Sequence, residues 1–159
     1  MYRSGGPAGC GWVLKEMDDD GADDYVSQCC FGDALIFLVQ KQILHLVVNQ
    51  EIASRGKYLG YHISNNQAEY QGLINGLKYL VRKDISCNIL YIRGDAEIVI
   101  RQMEGQYNVN SPNIRPYYER AYDLLEQVDK YTYKFRHVYR DKNWEADELA
   151  NEAIQNAHY

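Results

Sequence analysis

One short run, Asn88-Ile-Leu-Tyr-Ile92, limits the architectures open to this chain more than any other stretch. It is apolar at every position after Asn88, so a strand built from it has no face to offer water. A strand of that kind must be covered above and below, which calls for a sheet packed between other layers. The run stops at Arg93-Gly94-Asp95, where the apolar pattern ends and a polar, glycine-containing turn begins.

The flanking segments supply the layers. The stretch from Ser64 to Asp84 opens with Ser64 and Asn65 as N-cap candidates and continues with Leu73, Leu77 and Leu80 at i, i+4, i+7. That spacing predicts an amphipathic helix buried along its leucine stripe. Ala96–Met103, Ile114–Val128 and Trp144–Asn156 also read as helices. In the second, Tyr117, Ala121, Leu124, Leu125 and Val128 share one side. In the third, Ala146, Leu149, Ala150 and Ala153 do so. Tyr131–Val138 alternates strictly, with Tyr131, Tyr133 and Phe135 opposite Thr132, Lys134 and Arg136, and reads as a strand. Cys10–Leu14 begins another after a Gly/Pro turn, and Glu51–Ile63 reads as its partner. Strands come first and then alternate with helices. The expectation is one α/β domain over residues 1–159, a mixed sheet flanked by helices.

Composition narrows the partners. Lys and Arg total 17 against 22 Asp and Glu, a formal charge of −5, so a surface that grips nucleic acid by bulk charge is not expected. Any phosphate binding must be local or go through a metal. Cys10, Cys29, Cys30 and Cys87 form no C-x-x-C pair and read as reduced thiols of an intracellular protein. No secretory signal is expected at the start, and the most apolar run, Ala34–Val48, carries Gln40, Lys41, Gln42 and His45 and is too polar to span a bilayer. The acidic segment around Asp18–Asp24 reads as a solvated turn. It lacks the alternating ligands and terminal Glu of a calcium loop.

Three carboxylates stand out by position. Glu69 is expected in the first turn of the first long helix, Asp95 directly after the buried strand, and Asp147 in the first turn of the last helix. In open α/β sheets ligands gather beyond the carboxyl ends of strands. Carboxylates brought together there repel one another unless a divalent cation joins them, and oxygen-only ligation suits Mg²⁺ or Mn²⁺. Each residue also has a plain structural reading. Glu69 and Asp147 serve equally as partners of a helix dipole, and Asp95 as the N-cap of the next helix.

The strings SNNQAEYQGLINGL, YIRGDAEIVIRQMEGQYNV and HVYRDKNWEADELANEA resemble ribonuclease H type 1, in the family's order. GGPAGCGWVL resembles its glycine-rich turn and second strand, and the match covers nearly everything except residues 26–50. The resemblance implies the ribonuclease H-like fold. It also implies a DEDD carboxylate set holding two Mg²⁺ (or Mn²⁺) ions, and cleavage of the RNA strand of an RNA–DNA hybrid. A monomer with no membrane association is expected. Glu69, Asp95 and Asp147 match three of the four carboxylates. Asn65, Asn66 and Gln67 match positions that reach the hybrid's minor groove, where a 2′-hydroxyl marks RNA. Asn143 matches a position that braces the turn before the last helix near the nucleic acid. His137 or Arg140 falls near a mobile residue that helps release product. For His137 an ordinary strand-end role is the alternative. The basic protrusion of some members has no counterpart here, because Gly105–Ile114 contains no Lys or Arg.

Two departures bear on activity. The family's first, central strand carries the first catalytic Asp, yet here Met1-Tyr2-Arg3-Ser4 is already in the glycine-rich turn. That strand is therefore missing or replaced, and its absence would leave backbone groups of both neighbouring strands unpaired. The second departure is residues 26–50, apolar and nearly uncharged, with neither a clean helical nor a clean strand period. Joining Tyr25 to Glu51 restores the hairpin length the family expects. The segment starts Val-Ser and ends in Gln, as a retained in-frame intron would, with the lost strand then lying in an upstream exon. The alternatives are an insertion whose apolar residues occupy the empty strand position, and an exposed, aggregation-prone hairpin. Function then lies between a hybrid-cleaving endonuclease impaired by the missing Asp and a catalytically inactive nucleic-acid-binding module of the same fold.

Overall fold

A computed structural model of the chain describes residues 7–17, 34–40, 51–85, 87–139 and 144–157. Five strands form one mixed sheet: β1 (Pro7–Met17), β2 (Ala34–Gln40), β3 (Glu51–Tyr61), β4 (Cys87–Gly94) and β5 (Lys130–His137), in the order β3-β1-β2-β4-β5. Four helices accompany them: α1 (Asn65–Arg82), α2 (Glu97–Met103), α3 (Arg115–Gln127) and α4 (Trp144–Asn156). The α/β class and the helix-flanked mixed sheet expected from the sequence are what the chain forms.

The central position of the sheet is occupied. Ala34–Gln40, drawn from the atypical segment, pairs with β1 in parallel and with β4 antiparallel. The unpaired backbone expected on both neighbours is thus corrected, and of the readings open for residues 26–50 the strand-slot reading describes the observed topology. The physical reason is local. A vacancy between two apolar strands would leave buried N–H and C=O groups unsatisfied, at about 1–3 kcal/mol each. ALIFLVQ has the uncharged, β-favouring composition that a strand paired on both edges accepts. The acidic turn at Asp18–Asp24 lies outside the described residues.

Register fixes the ends of the sheet. Trp12 pairs with Arg55 on one side and Leu35 on the other. Leu35 pairs with Gly94, and Gly94 with His137, so these residues form one row across all five strands. The strand directions make β3, β4 and β5 finish at the end where β1 and β2 begin. α1 follows β3, α2 follows β4 and α4 follows β5, so all three helices start from that end.

One face of the sheet carries the main core. Trp12 and Leu14 of β1, Leu90 and Ile92 of β4 and Phe135 of β5 pack with Tyr70, Leu73, Leu77 and Leu80 of α1, Ile100 and Met103 of α2, and Leu124 and Leu125 of α3. The leucine stripe read from spacing is fully buried. The opposite face of β1 and β3 receives α4. A Cβ on Gly9 would lie 2.6 Å from the Ala150 carbonyl oxygen, and one on Gly56 would overlap the Leu149 carbonyl. Bare backbone at these two positions lets the last helix settle against the sheet. Among the described residues, no helix is long and apolar enough to cross a membrane.

Candidate active site at the carboxyl end of the sheet

The start of α1 is held by its cap. Ser64 Oγ accepts from the Gln67 N–H at 3.2 Å, and Gln67 Oε1 accepts from the Ser64 N–H at 2.9 Å, a reciprocal capping box. Ser64 is therefore the cap and Asn65 the first helical residue, which puts Glu69 fifth in the helix rather than in the first turn. The dipole reading of Glu69 weakens accordingly, since that effect fades beyond the first turn. Glu69 is also only 3% exposed. Burying a carboxylate is costly, and a divalent cation offsets that cost.

Asp95 follows the last residue of β4 and is half-buried. It does not cap the next helix: the N-cap of α2 is Ala96, with no side-chain capping bond. Two residues earlier on the same strand end, Arg93 is buried, only 6% exposed. Nothing in periodicity foretold its burial. The one signal was a cation interrupting an otherwise apolar strand.

His137 comes to this point from β5. Gly94 and His137 are register partners, and the Val138 N–H donates to the Gly94 carbonyl at 2.9 Å. The imidazole Nε2 lies 3.2 Å from the Asp95 carbonyl oxygen. Tyr139 stands edge-on to the His137 ring, centroids 5.8 Å apart, and is 76% exposed. An aromatic this open beside the strand ends was not singled out by sequence reasoning. Its signal was the YR step after a strand that alternates up to Val138.

Buried polar contacts tie α1 to α2. The Tyr70 hydroxyl donates to Gln102 Oε1 at 2.8 Å, and Gln102 Nε2 donates to the Asn108 carbonyl at 3.3 Å. Desolvation, with Tyr118 and Tyr122 adding to it, pushes the Tyr70 hydroxyl far above its ordinary pKa, so it stays a proton donor. Tyr70 adjoins Glu69 in sequence, and α2 follows two residues after Asp95, so this bond ties the helix that carries Glu69 to the helix that follows Asp95.

The candidate residues thus divide plainly. Glu69, Asp95 and His137 sit on elements that meet at one end of the sheet, with His137 in direct contact with the Asp95 backbone. Asn65 and Asn66 lie at the amino end of α1, exposed and half-buried. Gln67 has a structural duty, because its amide oxygen is committed to the cap. Asp147 is the fourth residue of α4, a helix that starts from the same end. Arg140 and Asn143 lie outside the described residues. Among the described residues, no group of three or more His, Cys, Asp or Glu side chains is close enough to hold a metal ion.

Known proteins resemble this chain in sequence and fold. Residues 49–153 match the family described as reverse transcriptase-like. A ribonuclease HI of Halobacterium salinarum is 37% identical over 106 residues, 67% of this chain and 51% of that protein, so the chain spans about half of that relative's length. The crystal structure of ribonuclease H1 from the same archaeon superposes with a TM-score of 0.69 at 29% identity, covering 98% of this chain and 92% of that one. LC11-RNase H1, solved in complex with RNA/DNA hybrid, is 32% identical with a TM-score of 0.62, covering 69% of this chain and 80% of that one. The N-terminal RNase H domain of Rv2228c from Mycobacterium tuberculosis gives a TM-score of 0.67 at 26% identity, over 99% and 88%. A family match over residues 49–153 and a superposition covering 98% of the chain lead to one conclusion: this chain belongs to the reverse transcriptase-like family and has the ribonuclease H1 fold.

Proposed function

We propose that the chain is a ribonuclease H-type domain that engages RNA–DNA hybrids, with Glu69, Asp95 and Asp147 as the acidic residues of its site. The observation that carries this reading is topological. The buried Glu69 lies on α1, Asp95 directly follows β4 and Asp147 belongs to α4, and by element order and strand direction α1 and α4 start at the end of the sheet where β4 finishes. Their all-oxygen donor set suits Mg²⁺ or Mn²⁺. Two such ions, when bound, supply an activated water and stabilise the leaving oxygen of a phosphodiester.

The chain's own residues do the rest. Asn65 and Asn66 offer amides to the minor groove, where the 2′-hydroxyl separates RNA from DNA. Gln67 holds the helix start in place and keeps its NH₂ donors for the same groove. Glu69 orients the attacking water. His137 or Arg140 assists departure of the product, and Asn143 is assigned to nucleic-acid binding by the family resemblance alone. No first-strand aspartate stands in the described sheet, and the strand at the central position, Ala34–Gln40, contains no carboxylate. Hydrolysis by this chain is therefore weak.

The experiment is cleavage of a labelled RNA–DNA hybrid in Mg²⁺ and binding of the same hybrid in EDTA. We expect hybrid binding, with cleavage near background that rises when a first strand bearing an aspartate is supplied. Robust cleavage abolished by Asp95→Asn would show that the missing group is not needed. Undiminished binding in EDTA with no cleavage under any condition would favour the non-catalytic module, a reading supported by the acid-free central strand. Absence of hybrid binding at low salt would end both.

The segment 26–50 belongs to this proposal as an insertion within one domain. Its Val-Ser and Gln edges match an in-frame intron, and genomic DNA without GT and AG at those two edges would remove that origin.

A further inference from the structure

The chain is acidic overall, and its Gly105–Ile114 segment has no cation, yet four of its seventeen Lys and Arg residues line one groove. Arg55 and Lys57 stand two apart on β3, and Lys78 and Arg82 stand four apart on α1. Register puts Arg55 opposite Trp12 and Lys57 opposite Cys10. Trp12 is core-facing on the α1 side, with its ring 5.0 Å from that of Tyr79, and Cys10 Sγ accepts from Asn75 Nδ2 on α1 at 3.6 Å. Both cation pairs therefore border the same cleft of about 330 Å³ between the edge strand and the helix, floored by Trp12, Gly56 and Tyr79, with Asn75 at its side. All four cations are exposed. No Asp or Glu lines the groove among the described residues.

Four like charges on two rigid elements repel one another, a cost that a bound polyanion removes. The groove shares the sheet row of Gly94 and His137, since Arg55, Trp12, Leu35, Gly94 and His137 are successive register partners. At about 4.8 Å between neighbouring strands, Arg55 lies roughly 14 Å from Gly94 along that row, within the reach of one continuous nucleic-acid backbone.

We infer that Arg55, Lys57, Lys78 and Arg82 form a phosphate-binding groove that takes the sugar–phosphate backbone of a nucleic acid extending beyond the candidate active site. This rests on the proposed hybrid binding. Trp12 is buried to 3% exposure, so the groove reads charge rather than stacking on bases. The groove supplies locally the backbone affinity that the acidic whole does not, and its contribution is independent of sequence.

The test compares the full chain with Arg55→Gln/Lys57→Gln and Lys78→Gln/Arg82→Gln, and with the charge-keeping Lys57→Arg/Lys78→Arg. Hybrid affinity is read by fluorescence anisotropy between about 50 and 200 mM salt. Each neutralised pair should weaken binding about tenfold at low salt and shallow the log–log salt slope by about 1–2, with unchanged circular dichroism. The charge-keeping variant should bind as the parent does. Parent binding with affinities and slopes unchanged in the neutralised variants would overturn the groove and leave the proposed function standing. A parent that fails to bind hybrid at all would overturn both. Loss of binding to phosphatidylglycerol vesicles, with hybrid affinity unchanged, would assign the groove to a membrane surface and overturn the inference.

Discussion

Gly9→Ala is the substitution in which fold and site are most tightly linked. The added Cβ would sit 2.6 Å from the Ala150 carbonyl oxygen and 2.9 Å from Ile154 Cγ1. An ordinary contact begins near 3.4 Å, so α4 or β1 must yield by about 0.8 Å. The obstructing atom is helix backbone, which has no rotamer to change. Overpacking of this kind costs about 1–3 kcal/mol. With a urea m-value near 2 kcal/mol/M, the midpoint should fall by about 0.5–1.5 M. Because α4 carries Asp147, the same displacement should reach the site, where misplacement by about 1 Å costs on the order of a hundredfold in rate. Urea unfolding and hybrid cleavage, the latter in a form supplied with the first-strand aspartate, are measured together. A midpoint within 0.2 M of the parent (about 0.4 kcal/mol) would refute the close seating of α4 on the glycine face.

Other consequences are equally direct. Phe37→Pro removes a backbone N–H from a strand paired on both sides, with Leu14 and Ile92 as register partners. It should cost about 3 kcal/mol or more by urea unfolding, whereas a value near zero would deny β2 its central place. Ser64→Ala removes one half of the capping box and should cost about 1 kcal/mol in thermal unfolding, because the Gln67 N–H loses its Oγ acceptor while the backbone N–H of residue 64 still donates to Gln67 Oε1. Desolvation, with Tyr118 adding to it, pushes the Tyr122 hydroxyl up to about 12, and Tyr70 moves in the same direction. A raised folded pKa means the contribution to stability is whole below pH 10 and is lost as pH climbs from 10 toward 12. Unfolding midpoints over that window should fall less steeply in Tyr122→Phe.

Much of this fold was legible because the relevant periods are local. The leucine stripe of α1, the alternation of β5 and the apolar run of β4 each state their own burial. α4 runs over Trp144–Asn156, as its alanine and leucine spacing implied. β2 was not legible in the same way. ALIFLVQ shows no period, and its place follows from backbone pairing with β1 and β4 on its two edges rather than from an alternation of its own. In the site, strand-end and helix-start positions marked Asp95 and Asp147. Recognition of three strings was needed to raise them above a cap and a dipole partner. The depth of Glu69 and the contact of His137 with the Asp95 carbonyl depend on sheet register. So does the meeting of Arg55 and Lys57 with Lys78 and Arg82, residues far apart along the chain.

The central claim of the proposed function is that Glu69, Asp95 and Asp147 together bind divalent metal, with two ions expected in an intact site. Mn²⁺ titration of the intact chain, read by electron paramagnetic resonance with Mg²⁺ as competitor, tests it without recourse to activity. The account predicts saturable Mn²⁺ binding displaced by Mg²⁺, weakened at least tenfold by each of Glu69→Gln, Asp95→Asn and Asp147→Asn. Equal Mn²⁺ affinity in the parent and all three variants, each still folded, would contradict it.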